Sequence, residues 1–434
     1  MDIVFGKMKN LNLIELNEIN FDVVKKYVDK STGKYPGFEK LFSLNLIKTS
    51  SEAVYEQIEP WIQWTSVHTC KTYDEHQVFR LGDIVNHSGE QIFEKIEKAG
   101  FNVGCVSPMN ADNRLKQPVY FIPDPWTDTK PDGSKVSKAI HQALRQAVND
   151  NSKGKITLAT YIALIWVLLT KTQKRNWINY FTLFRNRKKR WNKALFLDLL
   201  LFDLFLYFKK SKKANFHCVF LNAFAHIQHH YFLNSEMYKG NLENSLDYVG
   251  TDEDPFHDAL TIYDKILSSI LDSFDENFIL ATGLRQVPVE RQIIYYRLKN
   301  HEKFLKAAGL KNFTVQPRMT RDFLVNFKSL NDLEDAQGTL SALQHKNQRL
   351  FSEIERRETS LFVTLTYSNE LAENENIVLK HQSLNLAEEF LFVAIKNGHH
   401  DETGYVFTNF ETKKIKDGDH VKEIGAEILD YFGA

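Results

Sequence analysis

Three histidines lie within the ten-residue segment NAFAHIQHHY, residues 222–231. His226 and His230 are four residues apart and would share one face of a helix, with His229 beside them. Such a face can ligate a metal ion or transfer protons. The alternative is that these imidazoles are half-buried packing residues next to Phe224 and Tyr231. An apolar run typical of a buried strand directly precedes the segment, and open α/β sheets place ligand crevices at the carboxyl ends of strands, which favours a functional site.

Apolar runs with strand character alternate with helical patterns along most of the sequence. The first run, LNLIEL at 11–16, is followed by a helical pattern that Asn20 can cap. This alternation predicts an α/β fold with a mostly parallel central sheet covered by helices on both faces. The aromatic passage 54–83 is expected to be loop-rich. Polar turns follow several predicted strands and would line the crevice: Asn17 and Glu18, Asp124–Asp128, Asn222–His230 and Thr282–Gln286.

The overall composition is that of an ordinary globular protein and gives no sign of nucleic-acid binding. Basic residues number 55 and are balanced by 55 acidic ones. The 3 cysteines are odd in number and show no CxxC spacing, so neither a disulfide framework nor a zinc knuckle is predicted. No secretory signal is recognised. We therefore expect a cytoplasmic location, with peripheral attachment to the inner membrane as an open alternative.

The composition changes between residues 156 and 213. Two apolar runs flank a segment, Lys171–Lys193, that is rich in Lys and Arg and contains no acidic residue. Both runs fall short of the roughly 20 apolar residues that a membrane-spanning helix needs. Helices flanking a basic segment with Trp177 and Trp191 suit a cap at an anionic membrane surface, or a pocket for a polyanionic or lipid-linked substrate. The alternative is a helical cap with a solvated basic loop. The domain prediction is therefore a core at 1–150, a helical basic insertion at 151–215 and the rest of the core at 216–434.

Several standard motifs are absent: the GxxxxGK[ST] phosphate loop, GxGxxG after the first strand, the GxSxG elbow and HExxH. The order of polar turns instead resembles the alkaline-phosphatase superfamily, particularly its nucleotide pyrophosphatase and phosphodiesterase branch. The resemblance rests on five segments: LNLIELNEINFD, with Asn17 and Glu18 after the first strand; EPWIQWTSVHTCKTYDEHQV, with Glu59 or Pro60 at the nucleophile position; LNAFAHIQHH, with Asn222 and His226 at ligand positions; ATGL, with Thr282 and Gly283 replacing an Asp and a His; and NGHHDETGY, with His400 as the late ligand.

The resemblance implies a metal site, because proteins of this superfamily bind two zinc-like ions. One site would here consist of Asn222, His226 and His400. The other loses nearly all of its ligands, since neutral Asn and Thr are weak ligands. We therefore expect one divalent ion, zinc or manganese, or no metal.

The same turns supply candidate catalytic and substrate-binding residues. Glu59 could act as a general base, and His226 or His229 could stabilise negative charge on a leaving phosphate. Glu59 could instead be a helix-end carboxylate, and the two histidines could be packing residues. The segment PDPW, residues 123–126, could be a rigid turn. The residues expected to contact the substrate are Asn17, Asp124 as a hydrogen-bonding acid, Trp126 as a stacking face, Thr282, and Arg285 with Gln286 as phosphate-binding groups.

The resemblance further implies an enzyme of bacterial surface-polysaccharide biosynthesis, for O-antigen or capsule. Its substrate would be a phosphate-linked sugar or a nucleotide sugar, processed as in a phosphodiesterase or phosphotransferase. Two alternatives stay open, a metal-independent glycosyltransferase on the same fold and a catalytically silent glycan-binding protein of the assembly complex. Residues 156–213 would contact an anionic membrane or a lipid-linked glycan.

Overall fold

The structure is a computed structural model and describes residues 9–149, 157–245, 247–250, 253–273, 276–318, 321–380 and 382–434. The predicted domain boundary at 150–151 lies outside the described residues. Two compact units are present, one made of residues 1–288 and 398–434 and the other of Val289–Asn397. The predicted core segment 216–434 contains residues 289–397, which form a compact unit of their own.

In chain order, the strands are β1 (Leu11–Leu16), β2 (Asn45–Thr49), β3 (Val103–Val106), β4 (Tyr120–Ile122), β5 (Phe216–Leu221), β6 (Asn277–Ala281), β7 (Arg285–Leu298), β8 (Phe313–Pro317), β9 (Asp322–Phe327), β10 (Gln344–His345), β11 (Gln348–Arg349), β12 (Glu353–Arg357), β13 (Ser360–Thr364), β14 (Asn376–Leu379), β15 (Gln382–Asn385), β16 (Phe390–Asp401) and β17 (Gly404–Thr408). The helices are α1 (Phe21–Lys30), α2 (Pro36–Phe42), α3 (Pro60–Thr69), α4 (Tyr73–His76), α5 (Ile92–Lys98), α6 (Lys135–Asn149), α7 (Leu158–Lys171), α8 (Trp177–Arg185), α9 (Asn192–Ser211), α10 (Ala223–Tyr231), α11 (Pro255–Ser273), α12 (His301–Ala308), α13 (Leu330–Ala342), α14 (Leu386–Glu389) and α15 (Glu423–Phe432).

The first unit is built around a sheet with the strand order β2-β17-β6-β1-β5-β3-β4. β1 pairs in parallel with both β5 and β6, and β3 pairs in parallel with β4 and β5. β17 is antiparallel to its neighbours β2 and β6. The predicted mostly parallel sheet is therefore confirmed, with β17 as the strand that runs against the others.

Helices cover both faces of this sheet. β1 and β5 are buried along their whole length, as expected for central parallel strands that read as continuous apolar runs. On one face, Leu13 and Cys218 join a core with side chains of α3, α5 and α15. On the other face His217 contacts the ring of Phe205 on α9. Side chains of alternate residues therefore point into two separate layers.

One local prediction is wrong. The passage 54–83 was expected to be loop-rich, yet Pro60–Thr69 forms α3. Nearly every residue of α3 except Trp61 is buried, so the helix shows no alternation of polar and apolar faces from which it could be recognised. Pro60 occupies the first helical turn, where its missing N–H costs nothing.

The second unit is a small α+β structure with an antiparallel sheet in the order β12-β13-β9-β8. Phe304 of α12 and Leu333 of α13 pack with Phe323 and Leu361 of the sheet in a core of this unit's own. The paired strands β7 and β16 carry the chain out of the first unit and back into it.

The described part of the predicted insertion consists of α7, α8 and α9 with short connections. Its helical character agrees with the expectation from the sequence. Within the residues that the structure describes, none of the helices combines the length and the apolar character that crossing a membrane requires.

Candidate active site: a carboxylate with two imidazoles

Glu18 is placed by the end of the central strand. The backbone N–H of Asn17 donates to the carbonyl of Leu221 at 3.0 Å, and that of Glu18 donates to the carbonyl of Thr282 at 3.0 Å. These bonds continue the ladders of β1 with β5 and β6 by one residue on each side. Glu18 has a φ of 58°, in the left-handed region. A non-glycine residue there carries strain of about 1–3 kcal/mol, which the surrounding structure must offset.

The helix after β5 brings His229 to this carboxylate. The side-chain Nε2 of Gln228 donates to the backbone carbonyl of Glu18 at 2.7 Å, and its Oε1 accepts from the N–H of Asn20 at 2.9 Å. This clamp fixes the rotation of α10 about its axis. The next residue, His229, therefore has its Nε2 atom 3.0 Å from Glu18 Oε2.

The end of β16 supplies the second imidazole. His400 Nε2 lies 3.2 Å from Glu18 Oε2 and 3.3 Å from His229 Nε2. The close approach of β16 depends on Gly398, since a Cβ there would lie 2.4 Å from Gln286 Oε1 and 2.8 Å from the Gln228 carbonyl oxygen. One carboxylate oxygen and two imidazole nitrogens thus converge, and all three atoms lie within 4.8 Å of one another.

Neutral side chains hold the Glu18 carboxylate in position. Asn17 Nδ2 donates to Glu18 Oε1 at 2.7 Å and to Asn222 Oδ1 at 2.8 Å, while Asn17 Oδ1 accepts from Trp64 Nε1 at 2.9 Å. Gln286 Nε2 donates to Glu18 Oε2. The carboxylate is therefore fixed through both oxygens, which reduces the entropy lost when it binds a ligand.

A second carboxylate stands behind His400. Glu59 is at the N-cap position of α3, and its Oε2 lies 3.4 Å from His400 Nδ1. The Glu59 side chain is 30% exposed, against 2% for Glu18. His400 thus has a carboxylate near each ring nitrogen, and the outer one is within reach of solvent.

The charge of the site follows from these contacts. Burial alone would raise the pKa of the Glu18 carboxyl, but the charges of His400 and His229 and their hydrogen bonds hold that pKa well below its usual range. Glu18 is therefore ionised at neutral pH. A buried anion of this kind needs positive charge beside it.

The other histidines predicted from NAFAHIQHHY lie elsewhere. The ring centroid of His226 is 4.7 Å from that of His230, and His226 does not contribute to the three converging atoms. Burial, together with the charge of His229, lowers the pKa of His226 to about 4, so this ring is neutral at pH 7. Asn222 contacts the cluster indirectly, through its Oδ1, which accepts the hydrogen bond from Asn17 Nδ2. The ligand set Asn222, His226 and His400 stays a prediction, and the geometry instead groups Glu18 and His229 with His400.

Three of the predicted substrate-binding residues make internal contacts. Thr282 is buried, and its Oγ1 accepts from the N–H of Tyr405 at 3.0 Å. Arg285 is held between Asp401 and Asp22, at 2.7 Å from each. Gln286 belongs to the support of Glu18. A role of these groups in substrate binding stays a prediction.

Asp124 and Trp126 form the rigid turn that the sequence analysis gave as their alternative role. Asp124 Oδ1 accepts from the N–H groups of Trp126 and Thr127, each at 2.7 Å, and Asp124 Oδ2 accepts from Thr127 Oγ1 and from the N–H of Asn110. Trp126 packs partly buried against the core of the first unit. Burial raises the pKa of Asp124, although these hydrogen bonds oppose the shift.

Glu18 was predicted to lie in a polar turn that lines the crevice, but it was assigned no ligand or catalytic role. The signal was nevertheless present, because Glu18 is the ionisable residue of the first strand-end turn and carboxylates bind divalent ions far better than the neighbouring amide does. The resemblance instead placed Asn17, one residue earlier, among the residues expected to contact the substrate. In the structure Asn17 orients Glu18, and Glu18 faces the imidazoles.

No protein-family model matches the sequence, and no curated protein matches it either. Solved structures match over nearly the whole chain. Phosphonoacetate hydrolase from Sinorhizobium meliloti 1021 has 11% identity, covers 98% of this chain and 96% of its own, and gives a TM-score of 0.45. Human ectonucleotide pyrophosphatase/phosphodiesterase 5 has 9% identity, 98% and 95% coverage and a TM-score of 0.47. The alkaline phosphatase of the Antarctic bacterium TAB5 has 12% identity, 99% coverage of each chain and a TM-score of 0.40.

All three identities are 12% or lower. Since the TM-scores are below 0.5, residue roles are assigned from the geometry of this chain alone.

Proposed function

We propose that this chain is an enzyme that acts on a phosphate ester at a site for one divalent metal ion, formed by Glu18, His229 and His400. The observation that supports this proposal is the spacing of the three converging atoms. Glu18 Oε2 lies 3.0 Å and 3.2 Å from the two Nε2 atoms, which are themselves 3.3 Å apart.

This spacing fits the shell of a tetrahedral ion. Zinc binds imidazole nitrogen and carboxylate oxygen at about 2.0–2.2 Å, and tetrahedral geometry then separates neighbouring ligand atoms by about 3.3–3.6 Å. The observed distances of 3.0, 3.2 and 3.3 Å are at or slightly below this range, so a bound ion would move the three side chains apart by a few tenths of an ångström. The two Nε2 atoms lie 3.3 Å apart, close enough for one ring to donate to the other or for both to bind one ion. A shared cation would bind both rings and the carboxylate oxygen together.

The donor set suits zinc or manganese. Two imidazoles and one carboxylate leave further coordination positions for substrate or water, as in catalytic sites. When bound, the ion would supply Lewis-acid polarisation of a phosphoryl oxygen.

Side chains around that centre would orient its ligands and transfer protons. Glu59 is placed to hold the proton on His400 Nδ1, which fixes the ring with its Nε2 toward Glu18. Because the Glu59 side chain is partly exposed, it is also available to accept a proton from a substrate hydroxyl. Asn17 and Gln286 keep the Glu18 carboxylate oriented toward the imidazoles.

The proposed substrate class rests on the sequence resemblance alone. A phosphate-linked sugar or nucleotide sugar, and a role in surface-polysaccharide assembly, stay predictions. The metal-independent glycosyltransferase is the second candidate, and it would use Glu18, His229 and Glu59 for proton transfer. Binding of nucleotide sugars that persists after chelation of all metal would favour that candidate.

The metal proposal is tested by metal analysis and calorimetric titration of zinc and manganese into the purified protein, followed by hydrolysis assays on aryl phosphate mono- and diesters. We expect one ion per chain for the wild type and little binding for His229→Ala. His230→Ala is the matched control, because it removes the adjacent histidine of the same helix and should bind normally.

His226→Ala separates the two ligand sets. If the ligands are Glu18, His229 and His400, this variant keeps its metal. Loss of metal in His226→Ala with retention in His229→Ala would show that the set Asn222, His226 and His400 is correct. A wild-type protein that binds neither ion and hydrolyses no ester would overturn the proposal.

A further inference from the structure

Helix α7 presents a continuous apolar face to solvent. Six large side chains, spaced three or four residues apart or adjacent, lie on this face and are 41–76% exposed. Thr160 and Val167, on the opposite side, are buried. Spacing of this kind puts all six in one stripe along the helix. They are Leu158, Tyr161, Ile162, Ile165, Trp166 and Leu169.

The next helix repeats the arrangement. In α8 the buried side chains are Asn179, Tyr180 and Leu183, whereas four large apolar ones are 43–65% exposed. Both α7 and α8 pack against α9, so their exposed stripes point away from that helix. An exposed apolar surface of this extent marks an interaction site in a folded protein. The exposed side chains of α8 are Trp177, Ile178, Phe181 and Phe184.

Positive charge surrounds this apolar surface. The sequence has no Asp or Glu from 157 to 197 and nine Lys or Arg between Lys171 and Lys193. Lys171 Nζ lies 5.1 Å from the ring centroid of Trp166, and the Arg187 guanidinium lies 5.3 Å from that of Phe184. The exposed cations are Lys174, Arg175, Arg185, Arg187, Lys188 and Arg190.

A cavity of about 750 Å³ lies at the C-terminal end of α7. Five Lys or Arg side chains and two carboxylates contribute to its lining, which adds to the positive charge beside the apolar stripe. The charged lining residues are Lys171, Lys174, Arg175, Lys209, Lys210, Asp203 and Glu276.

We propose that the exposed faces of α7 and α8 bind the surface of an anionic phospholipid membrane, with the apolar side chains among the acyl chains and the cations at the headgroup phosphates. Large apolar side chains beside Lys and Arg are the signature of helices that lie in the interface, and Trp and Tyr favour the headgroup level. A second copy of the chain fits less well, because a symmetric contact would bring the same positive charges together.

This inference is independent of the metal site, since it uses none of its residues. The test is flotation of the full chain with vesicles of phosphatidylcholine, alone or mixed with phosphatidylglycerol. We expect binding to the mixed vesicles, at least about tenfold weaker binding to the neutral ones, and weakening by high salt, which screens the headgroup charge.

Two variants test the two components of the surface. The double variant Ile165→Glu with Phe181→Glu should lose binding at least about tenfold, because it places charge in the acyl region. Arg185→Glu with Lys188→Glu should lose the preference for anionic vesicles. Val378→Glu is the matched control, since Val378 is an apolar residue of the second unit that is 73% exposed.

All these positions are exposed, so the variants should fold, and unchanged circular dichroism and metal content would verify this. The proposal would be overturned if the wild-type protein did not bind anionic vesicles. It would also be overturned if the variant with Ile165→Glu and Phe181→Glu floated like the wild type. If the wild type does not bind vesicles but self-associates in sedimentation velocity, and the variant with Ile165→Glu and Phe181→Glu does not self-associate, a second copy covers this face instead. Binding by the wild type only to an acidic protein would likewise refute the membrane assignment.

Discussion

Two carboxylate–imidazole clusters arise from the same strand, three residues apart. Glu15 lies within β1 and its Oε1 is 2.7 Å from His68 Nε2, with both side chains completely buried. Glu18 lies just beyond the end of β1 and meets two imidazoles, of which His229 is 28% and His400 12% exposed. The first pair is sealed in the core, and the second cluster opens toward solvent.

The difference teaches what separates a structural carboxylate–imidazole contact from a reactive site. Glu15 is surrounded by one imidazole, the Cys218 thiol and the N–H of Met109, and no substrate can reach it. Glu18 has the same chemistry with one more imidazole and a solvent path. Position relative to the strand end, more than residue type, therefore decides which cluster can bind a ligand.

The largest expected effect is on the sealed pair. Glu15→Ala should destabilise the protein by about 3–5 kcal/mol, because it leaves the buried His68 ring without its hydrogen-bond partner and opens a cavity in the core. Urea denaturation followed by fluorescence measures the change, and metal stoichiometry should stay at the wild-type value. Asp29→Ala, which removes an exposed i,i+4 pair with Lys25, is the control and should unfold close to the wild type. A loss of metal in Glu15→Ala without destabilisation would break the comparison.

Replacement of the solvent-accessible cluster's carboxylate, Glu18, should mainly reduce metal binding, whereas Glu15→Ala should mainly reduce stability. Glu18→Gln keeps the shape but removes the charge that balances a divalent ion, so we expect metal affinity to fall by more than about 100-fold, beyond the range of supporting-residue changes. Isothermal titration with zinc measures this. The comparison fails if Glu18→Gln binds zinc as tightly as the wild type.

Glu59→Gln should have an intermediate effect, because Glu59 supports His400 from behind. Supporting carboxylates of this kind contribute about 10–100-fold to metal affinity or activity. The same titration, together with kcat and KM of any phosphodiester turned over, measures it. Glu56→Gln, which changes a neighbouring carboxylate in the turn before α3, is the matched control. An effect as large as that of Glu18→Gln would make Glu59 a direct ligand or the catalytic base.

The smallest effect is expected in the pH dependence of stability. The pKa of Glu18 is held below its ordinary value of 4.5 in the folded chain. A carboxyl group with a lowered folded pKa stabilises the protein above its unfolded pKa and loses that contribution as pH falls through the folded value. In metal-free protein, the stability advantage of wild type over Glu18→Gln should therefore be full above about pH 4.5 and shrink in more acid solution. Urea midpoints between pH 6 and pH 3 test this, and an advantage that grows on acidification would contradict it.

The local features of the fold were readable from the sequence because local patterns report them. The continuous apolar run of β1 predicted a central strand, and Asn20 predicted the start of α1, where its side chain accepts from the N–H of Val23. Helix α3 was missed because burial on all sides removes the periodicity on which such predictions depend. The unit at 289–397 has short strands and helices like those of the core, so its separation could not be seen in local patterns.

The sequence alone determined that polar turns follow buried strands and that His226, His229 and His230 lie on one short helix. It could not determine which of these rings meets His400, which is 171 residues from His229. The tertiary structure decided this through the clamp of Gln228 on the backbone of Glu18, which sets the rotation of α10. Spacing along a helix fixes the angles between its side chains, whereas the direction in which the helix faces depends on contacts that the order of strands in the sheet creates.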